Sequence, residues 1–297
     1  MGHTKHRRSM RHTLRREITG TLGLLTDAQD FAAMRKYRSF AFEDHETYLR
    51  QAEGLLRTLS AQGAHTSVAL FDPEEFAEYC TAAGLDPDTA DSRMRFTAEV
   101  ASGGARVPYT GQPIDQLVPQ LIDTAVRKAT WDYATVLLAR LGDCAECGRD
   151  IGHAAFDRAS RMLMALLDAA GPGTHHLVCS VPVEDELLLA VLLAECPEGE
   201  PARLDQSEAA EFVTVLAVGI AVNSTGGVVL RTTAPDTPDR LHGWRLQQGR
   251  LDPLTAAEVF SAYCTDADTG EPVSPEPGVE YRAGFPVTPA EDPGSHH

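Results

Sequence analysis

The stretch 205–222, DQSEAAEFVTVLAVGIAV, decides the fold class of this chain. Asp205 and Glu208 at its start form a capping-box pattern, which marks the beginning of a helix. An almost unbroken apolar run, Phe212–Val222, follows them. This run has 11 residues, whereas about 20 are needed to cross a bilayer. The stretch therefore predicts a helix that is buried inside the protein.

Strand patterns lie on both sides of this helix. The segments 227–233 and 240–247 predict strands after it, and apolar residues alternate along 177–183 before it. The segment 187–194 is uniformly apolar, so periodicity does not decide its type, although its leucine and alanine content favours a helix. A buried helix among strands is typical of an α+β arrangement.

The first half of the chain is richer in helix signals. Asp72-Pro73-Glu74-Glu75 combines a capping residue with proline at the first helical position, and Gly84 ends the predicted helix. The segment 65–71 predicts a strand that leads into it. Helical spacing of apolar residues also marks 44–59 and a long helix over 117–136.

We therefore predict an α+β fold with a helix-rich N-terminal half, a strand-containing C-terminal half, a basic N-terminal tail and a Pro-rich C-terminal tail. A glycine at the end of the long helix, Gly142, suggests a domain boundary, and one fused domain is the alternative. The predicted parts are a flexible basic tail (1–16), a mainly helical domain with one or two short strands (17–141), a zinc-knuckle-like segment with an α+β domain (142–270) and a Pro-rich tail (271–297).

The charge distribution argues against a general nucleic-acid-binding protein. The net charge is −17, although residues 1–16 contain six basic and no acidic side chains. An acidic body repels phosphate backbones, so only the 1–16 tail is expected to touch nucleic acid, an acidic partner or its own body. The start of the chain lacks the apolar segment of a signal peptide. We expect a cytoplasmic protein without a membrane span, and the excess of arginine over lysine suggests a bacterial genome of high GC content.

The motif Cys144-Ala-Glu-Cys147-Gly148 is the strongest candidate for specific chemistry. Two thiols at this spacing can bind one metal ion, and the glycine permits the tight turn that such sites use. We interpret the motif as half of a structural zinc site. A redox pair is one alternative, which the neighbouring acidic residues disfavour because they raise thiol pKa values. Two ordinary loop cysteines are the other.

A tetrahedral zinc site needs two further ligands. Our preferred set is Cys144, Cys147, Cys179 and His176, with His175 or His153 as the alternative fourth ligand. If 175–183 is a strand, His175 and Cys179 lie on one side but about 13 Å apart at ~3.3 Å per residue. His176 and Cys179 would then face opposite sides, so this set requires them to lie in a turn.

The same motif supports an alternative function. Cys144-Ala-Glu146 matches the start of the zinc-deaminase signature, but no Pro-Cys-x-x-Cys follows it. The alternative is a zinc-dependent hydrolase or deaminase-like enzyme with Glu146 as general acid/base. Four protein ligands would mean a structural metal, and three with a bound water would mean catalysis.

The remaining signals predict structure rather than chemistry. We interpret the acidic cluster around His45 as the first turn of a helix, where carboxylates are favoured by the helix dipole. We expect Trp131 in the core and Trp244 on a sheet surface. The sequence thus favours a non-catalytic cytoplasmic interaction or regulatory protein with an unknown protein partner and one structural zinc.

Overall fold

The computed structural model describes residues 20–266 and 269–288. The predicted basic tail 1–16 and the end of the chain, 289–297, lie outside these residues. Helices and mixed sheets occur together, with more helix in the N-terminal half and more strand in the C-terminal half. The α+β prediction is therefore confirmed.

The helices are α1 (Ala28–Met34), α2 (His45–Ala61), α3 (Pro73–Ala83), α4 (Ala90–Gly103), α5 (Ile114–Arg140), α6 (Ile151–Ala170), α7 (Gln206–Ala221) and α8 (Ala256–Tyr263). The strands are β1 (Gly20–Leu24), β2 (Thr66–Leu70), β3 (Arg106–Pro108), β4 (Gly173–Val183), β5 (Glu186–Cys196), β6 (Arg203–Leu204), β7 (Gly227–Thr233), β8 (Asp239–Gln247), β9 (Arg250–Pro253) and β10 (Val279–Tyr281). No helix in this described part of the chain has the length and apolar character needed to cross a membrane.

The chain divides into two compact units, Met1–Lys128 and Ala129–His297. The division falls within α5, and the boundary predicted near Gly142 lies just beyond the end of this helix.

The predicted helices α2 and α3 begin at the capping side chains that the sequence indicates. The Asp72 carboxylate accepts hydrogen bonds from the backbone N–H groups of Glu74 and Glu75, at 2.7 and 3.0 Å. Asp44 caps α2 in the same way, which confirms the structural interpretation of the acidic cluster around His45. Removing such a cap typically costs about 1 kcal/mol. These local bonds explain why the helix starts are readable from sequence.

The N-terminal unit is a three-stranded sheet surrounded by helices. Strand β1 pairs with β2 in parallel, and β3 pairs with β2 antiparallel. The core of this unit is rich in aromatic rings. Phe76 is fully buried and contacts the rings of Tyr37, Phe71 and Phe96 at centroid distances of 5.2–5.7 Å.

The C-terminal unit is built on a larger sheet. Its strands follow the order β10-β8-β7-β4-β5-β6, and β9 pairs with β8 outside this path. All pairs are antiparallel except β10 with β8. The predicted buried helix, α7, packs against β4, β5 and α6, and its residues 212–219 are buried.

The prediction that leaned towards a helix for 187–194 is wrong, because this segment lies within strand β5. It pairs with β4 along its whole length, from Glu186 opposite Val183 to Cys196 opposite Gly173. The inward residues, such as Leu188 and Leu192, are buried against the helical layer, while the outward leucines and valine are 42–57% exposed. Cross-strand pairing and burial on one face override the weak helix preference of leucine and alanine.

Both tryptophan predictions are also wrong. Trp131 on α5 is 41% exposed, whereas Trp244 on β8 is only 1% exposed. The Trp244 indole N–H donates to the Phe285 carbonyl at 2.8 Å, and the two rings meet edge to face at 4.8 Å. The described part of the Pro-rich tail is therefore held against the sheet and covers Trp244.

A buried histidine joins the helical layer to the sheet. His175 has no exposed surface. Its Nε2 lies 2.8 Å from the Gly171 carbonyl, so Nε2 carries the proton, and its Nδ1 accepts from the Thr232 hydroxyl at 3.0 Å. Burial lowers the pKa of His175 below its ordinary value.

We expect His175→Leu to lower the stability at neutral pH and to flatten the dependence of stability on pH. The native imidazole resists protonation, so the unfolded chain takes up the proton first as the pH falls below about 6.5. Stability is therefore lost as the pH falls from that value towards the native pKa, by at most about 1.4 kcal/mol per pH unit for this proton. Urea unfolding at several pH values measures the slope, and an unchanged slope in the variant would contradict the assignment.

Candidate functional site

The first candidate site is the segment 142–151, which follows the end of α5 and runs to the first residue of α6, and which we call the cysteine knuckle. Its two ends pair like a small hairpin. Cys144 N–H donates to the Arg149 carbonyl at 2.8 Å, and Gly148 N–H donates to the Cys144 carbonyl at 2.8 Å. Gly148 has a φ of 68°, a conformation that favours glycine. The predicted turn after the second cysteine is therefore present.

The knuckle directs two thiols to its surface. Cys144 is half-buried and Cys147 is exposed. The backbone N–H groups of Cys147 and Glu146 donate hydrogen bonds to the Cys144 sulfur, and the Cys147 side chain is also hydrogen-bonded to this sulfur. These bonds lower the pKa of the Cys144 thiol, although the Glu146 carboxylate opposes the shift. The thiolate is the form that binds metals and attacks electrophiles.

The other predicted ligands do not join the knuckle. Cys179 lies in the core with no exposed surface, and burial raises the pKa of its thiol to about 12. His176 lies on the opposite, exposed face of β4. Within the described residues, no group of three or more His, Cys, Asp or Glu side chains is placed to hold a metal ion. The set Cys144, Cys147, Cys179 and His176 is thus not assembled, while zinc binding by the cysteine pair stays a prediction.

The alternative fourth ligands are also engaged elsewhere. Both ring nitrogens of His175 are hydrogen-bonded within the core of the C-terminal unit. The His153 ring lies 3.6 Å from the Asp157 carboxylate, and both side chains are largely exposed. The enzyme alternative with Glu146 as general acid/base likewise stays a prediction.

The second candidate site is a cavity of about 910 Å³ in the N-terminal unit, which we call the α2/α4 cavity. Helix α2 contributes residues at helical spacing, from Tyr48 to Leu55, and strand β1 contributes 21–23. Helix α4 contributes a stripe of seven residues spaced three, one, three, one, three and one positions apart: Ala90, Arg93, Met94, Thr97, Ala98, Ala101 and Ser102. Such a stripe lies along one helix face.

Packing at β1 depends on a glycine. A Cβ at Gly23 would lie 2.8 Å from both the Phe71 ring and the Thr97 hydroxyl, closer than real Cβ atoms approach. The Tyr48 hydroxyl on α2 contacts the backbone near the end of β1. It accepts a hydrogen bond from Leu25 N–H at 3.1 Å and lies 3.4 Å from the Gly23 carbonyl. Burial raises the pKa of Tyr48, so its hydroxyl stays protonated. The cavity therefore has a fixed wall where α2 and α4 meet the sheet.

The cavity combines an apolar body with a cationic rim. The side chains of Phe40, Phe42 and Met34 belong to its lining, and Leu55 and Met94 remain 47% and 65% exposed. Two arginines, Arg93 and Arg106, belong to the lining as well, and no carboxylate, imidazole or thiol of the described residues does.

Arg93 is held in place by a neighbouring loop. Its Nη1 donates to the Ser39 hydroxyl at 2.7 Å and its Nη2 donates to the Ser39 carbonyl at 3.2 Å. Asp88 accepts from Ser39 N–H at 2.7 Å and is not part of the lining. Arg106 donates to the Ala101 carbonyl at 2.9 Å. A guanidinium carries five N–H donors, so these bonds leave donors for a ligand.

The sequence patterns predict α2 but neither α4 nor β1, and they give no sign of this cavity. Thr89 as a capping residue and the three- and four-residue spacing of the α4 stripe are the signals that predict such a helix. Residues from 21 to 106 meet only in the folded unit, so the cavity itself has no local sequence pattern.

Comparison with known proteins adds one finding. Residues 9–112, about a third of the chain, match a family model described as a domain of unknown function, DUF8829. All residues that line the α2/α4 cavity lie inside the matched range. No curated protein and no solved structure matches the chain.

Proposed function

We propose that this chain is a non-catalytic binding protein whose N-terminal unit takes a small amphipathic anion, with an apolar body and a carboxylate head, in the α2/α4 cavity. The main observation that supports this proposal is the charge of the residues that line the cavity. The whole chain has 43 acidic and 26 basic residues, yet the described residues that line the cavity include two arginines and no acidic residue.

The size and lining of the cavity support a small-molecule site. Ligand cavities have volumes of about 300–1,000 Å³ and are mostly apolar, with a few polar groups that orient the ligand. The α2/α4 cavity has a volume of about 910 Å³ and follows this pattern. Burial of an apolar chain contributes about 25 cal/mol for each Å² removed from water.

The arginines support recognition of an anionic head. Guanidinium groups bind carboxylates through paired hydrogen bonds, and such charge-assisted bonds are the stronger ones. The bonds of Arg93 to Ser39 restrict its side chain before a ligand arrives. Pre-organisation of this kind lowers the entropic cost of binding.

A regulatory role is consistent with where the ligand would sit. The lining comes from α2, α4 and β1, so a ligand in the cavity would contact all three elements. Binding to the folded state alone stabilises that state, by about 2.7 kcal/mol when the ligand is present at one hundred times its Kd. We place this role in the cytoplasm, where a reducing environment keeps thiols reduced, and none of the six cysteines forms a disulfide in the structure.

Thermal unfolding of the full chain with matched ten-carbon probes tests the proposal. We expect decanoate, kept below its critical micelle concentration, to raise the melting temperature, and decanol and decyltrimethylammonium to have much smaller effects. Equal stabilisation by the cationic probe would overturn the anionic specificity. No binding by any of the three in calorimetry would overturn the amphipathic ligand.

Arginine variants locate the head group. We expect Arg93→Gln and Arg106→Gln each to weaken decanoate binding roughly tenfold or more, because a hydrogen bond to a charged group contributes about 1.5–3 kcal/mol. The matched control is Arg95→Gln on the same helix, since Arg95 pairs with Asp91 at 2.8 Å and does not line the cavity. Equal losses in all three variants would show a general charge effect and not a site.

A further inference from the structure

We propose that the cysteine knuckle is one half of a zinc site that is completed by the knuckle of a second copy of this chain. Zinc would then be bound by Cys144 and Cys147 from each copy, with a two-fold axis passing through the metal. This site is independent of the α2/α4 cavity.

The first support is the form of the knuckle. Three backbone hydrogen bonds hold the loop. Cys144 N–H donates to the Arg149 carbonyl, Gly148 N–H donates to the Cys144 carbonyl, and Ile151 N–H donates to the Gly142 carbonyl at 3.0 Å. The loop offers two cysteine side chains that solvent can reach, Cys144 and Cys147. It is a pre-organised donor of two ligands.

The second support is the number of ligands. Structural zinc sites are closed tetrahedra with four protein ligands, and sulfur is a preferred donor. The described residues supply two sulfurs at the knuckle and no group of three or more candidate ligands anywhere. Cys179 is buried and His176 lies on the outer face of the sheet. A second copy brings an identical pair, and a two-fold interface places equal surfaces against each other.

The surrounding charges make the association depend on zinc. Asp143, Glu146 and Asp150 lie in the knuckle beside a single arginine, Arg149. Each chain also has a net charge of −17. Two such loops repel each other, and a divalent cation between them reduces this repulsion. The metal-free chains are therefore expected to stay apart.

The binding step changes no oxidation state. Zn²⁺ enters as the divalent ion, four thiols lose their protons to the solvent, and four zinc–sulfur bonds form. Zinc binding must consequently weaken as the pH falls, because protons compete with the metal for the sulfurs.

The test is a zinc titration of the full chain, kept reduced and first freed of metal by a chelator. Light scattering after size-exclusion chromatography gives the mass, and elemental mass spectrometry gives the zinc content. We expect the mass to double with an end point of one zinc per two chains, and a chelator to reverse the change. Cobalt in place of zinc should give the absorption of a four-thiolate tetrahedral site.

Variants and alternative outcomes decide the ligands. Cys144→Ser and Cys147→Ser should each abolish the mass change and weaken zinc binding at least a hundredfold, while circular dichroism stays unchanged because both residues lie at the surface. The matched control is Cys196→Ser, a half-buried cysteine on β5 that should behave like the parent chain. One zinc per chain without a change in mass, or no bound zinc, would overturn the proposal. A mass change that persists in Cys144→Ser would overturn it as well.

Discussion

Replacing Trp244 by alanine is expected to lower the free energy of unfolding by about 3–5 kcal/mol, the usual cost of truncating a large buried aromatic side chain. Trp244 is among the largest fully buried side chains of the described residues. Its ring packs edge to face on Phe285, and its indole N–H satisfies the Phe285 carbonyl. The variant loses this packing and leaves a cavity beneath the C-terminal segment.

The C-terminal segment should respond in the same experiment. Residues 279–287 are held to the sheet by β10, by the bond of His242 to the Ala283 carbonyl at 2.8 Å and by Trp244. Without the tryptophan we expect faster proteolytic cleavage after residue 270. Urea unfolding followed by circular dichroism measures the free energy. Trp131→Ala is the matched control because that tryptophan is exposed, and a loss as large as that in Trp244→Ala would contradict the assignment of the core.

Phe76→Ala is the second substitution with a large expected effect, again a loss of about 3–5 kcal/mol. Phe76 has no exposed surface and touches three other aromatic rings of the N-terminal core. Aromatic pairs of this kind add about 0.5–1.5 kcal/mol beyond their buried area. A loss of this size is a large fraction of the 5–15 kcal/mol that stabilises a typical domain.

Ligand binding offers a second readout for this variant. Phe71 touches Phe76 and also lines the α2/α4 cavity, so a collapse of the core should disturb the cavity wall. We expect decanoate binding to weaken in Phe76→Ala and to persist in Phe260→Ala, where the replaced ring is 44% exposed and belongs to the other unit. A Phe76→Ala protein as stable as the Phe260→Ala control would show that the ring cluster does not carry the N-terminal core.

The helix starts were predictable because their causes are local. Asp44, Asp72 and Asp205 each accept a hydrogen bond from a backbone N–H two or three positions ahead, so the sequence alone specifies the contact. The long apolar run that became α7 was predictable for a similar reason. A helix that is apolar on all sides can only be buried.

The wrong predictions for the segment 187–194 and for Trp244 have a common physical cause. The segment 187–194 has the composition of a helix and becomes a strand because β4 pairs with it along its full length. Trp244 belongs to the core cluster of the C-terminal unit, and its indole group is also contacted by Phe285, about 40 positions later in the chain. No pattern in a short window of sequence contains these long-range contacts.

The sequence by itself determined the α+β class, several helix starts and the position of the two neighbouring thiols, since each depends on residues a few positions apart. Only the tertiary structure decided which candidate ligands stay apart and which residues of α2, α4 and β1 surround a cavity. Cys179 has the chemistry of a metal ligand, but its place in the buried face of β4 keeps it in the core. Distances between residues far apart in the chain are set by packing, and packing is what a linear pattern does not contain.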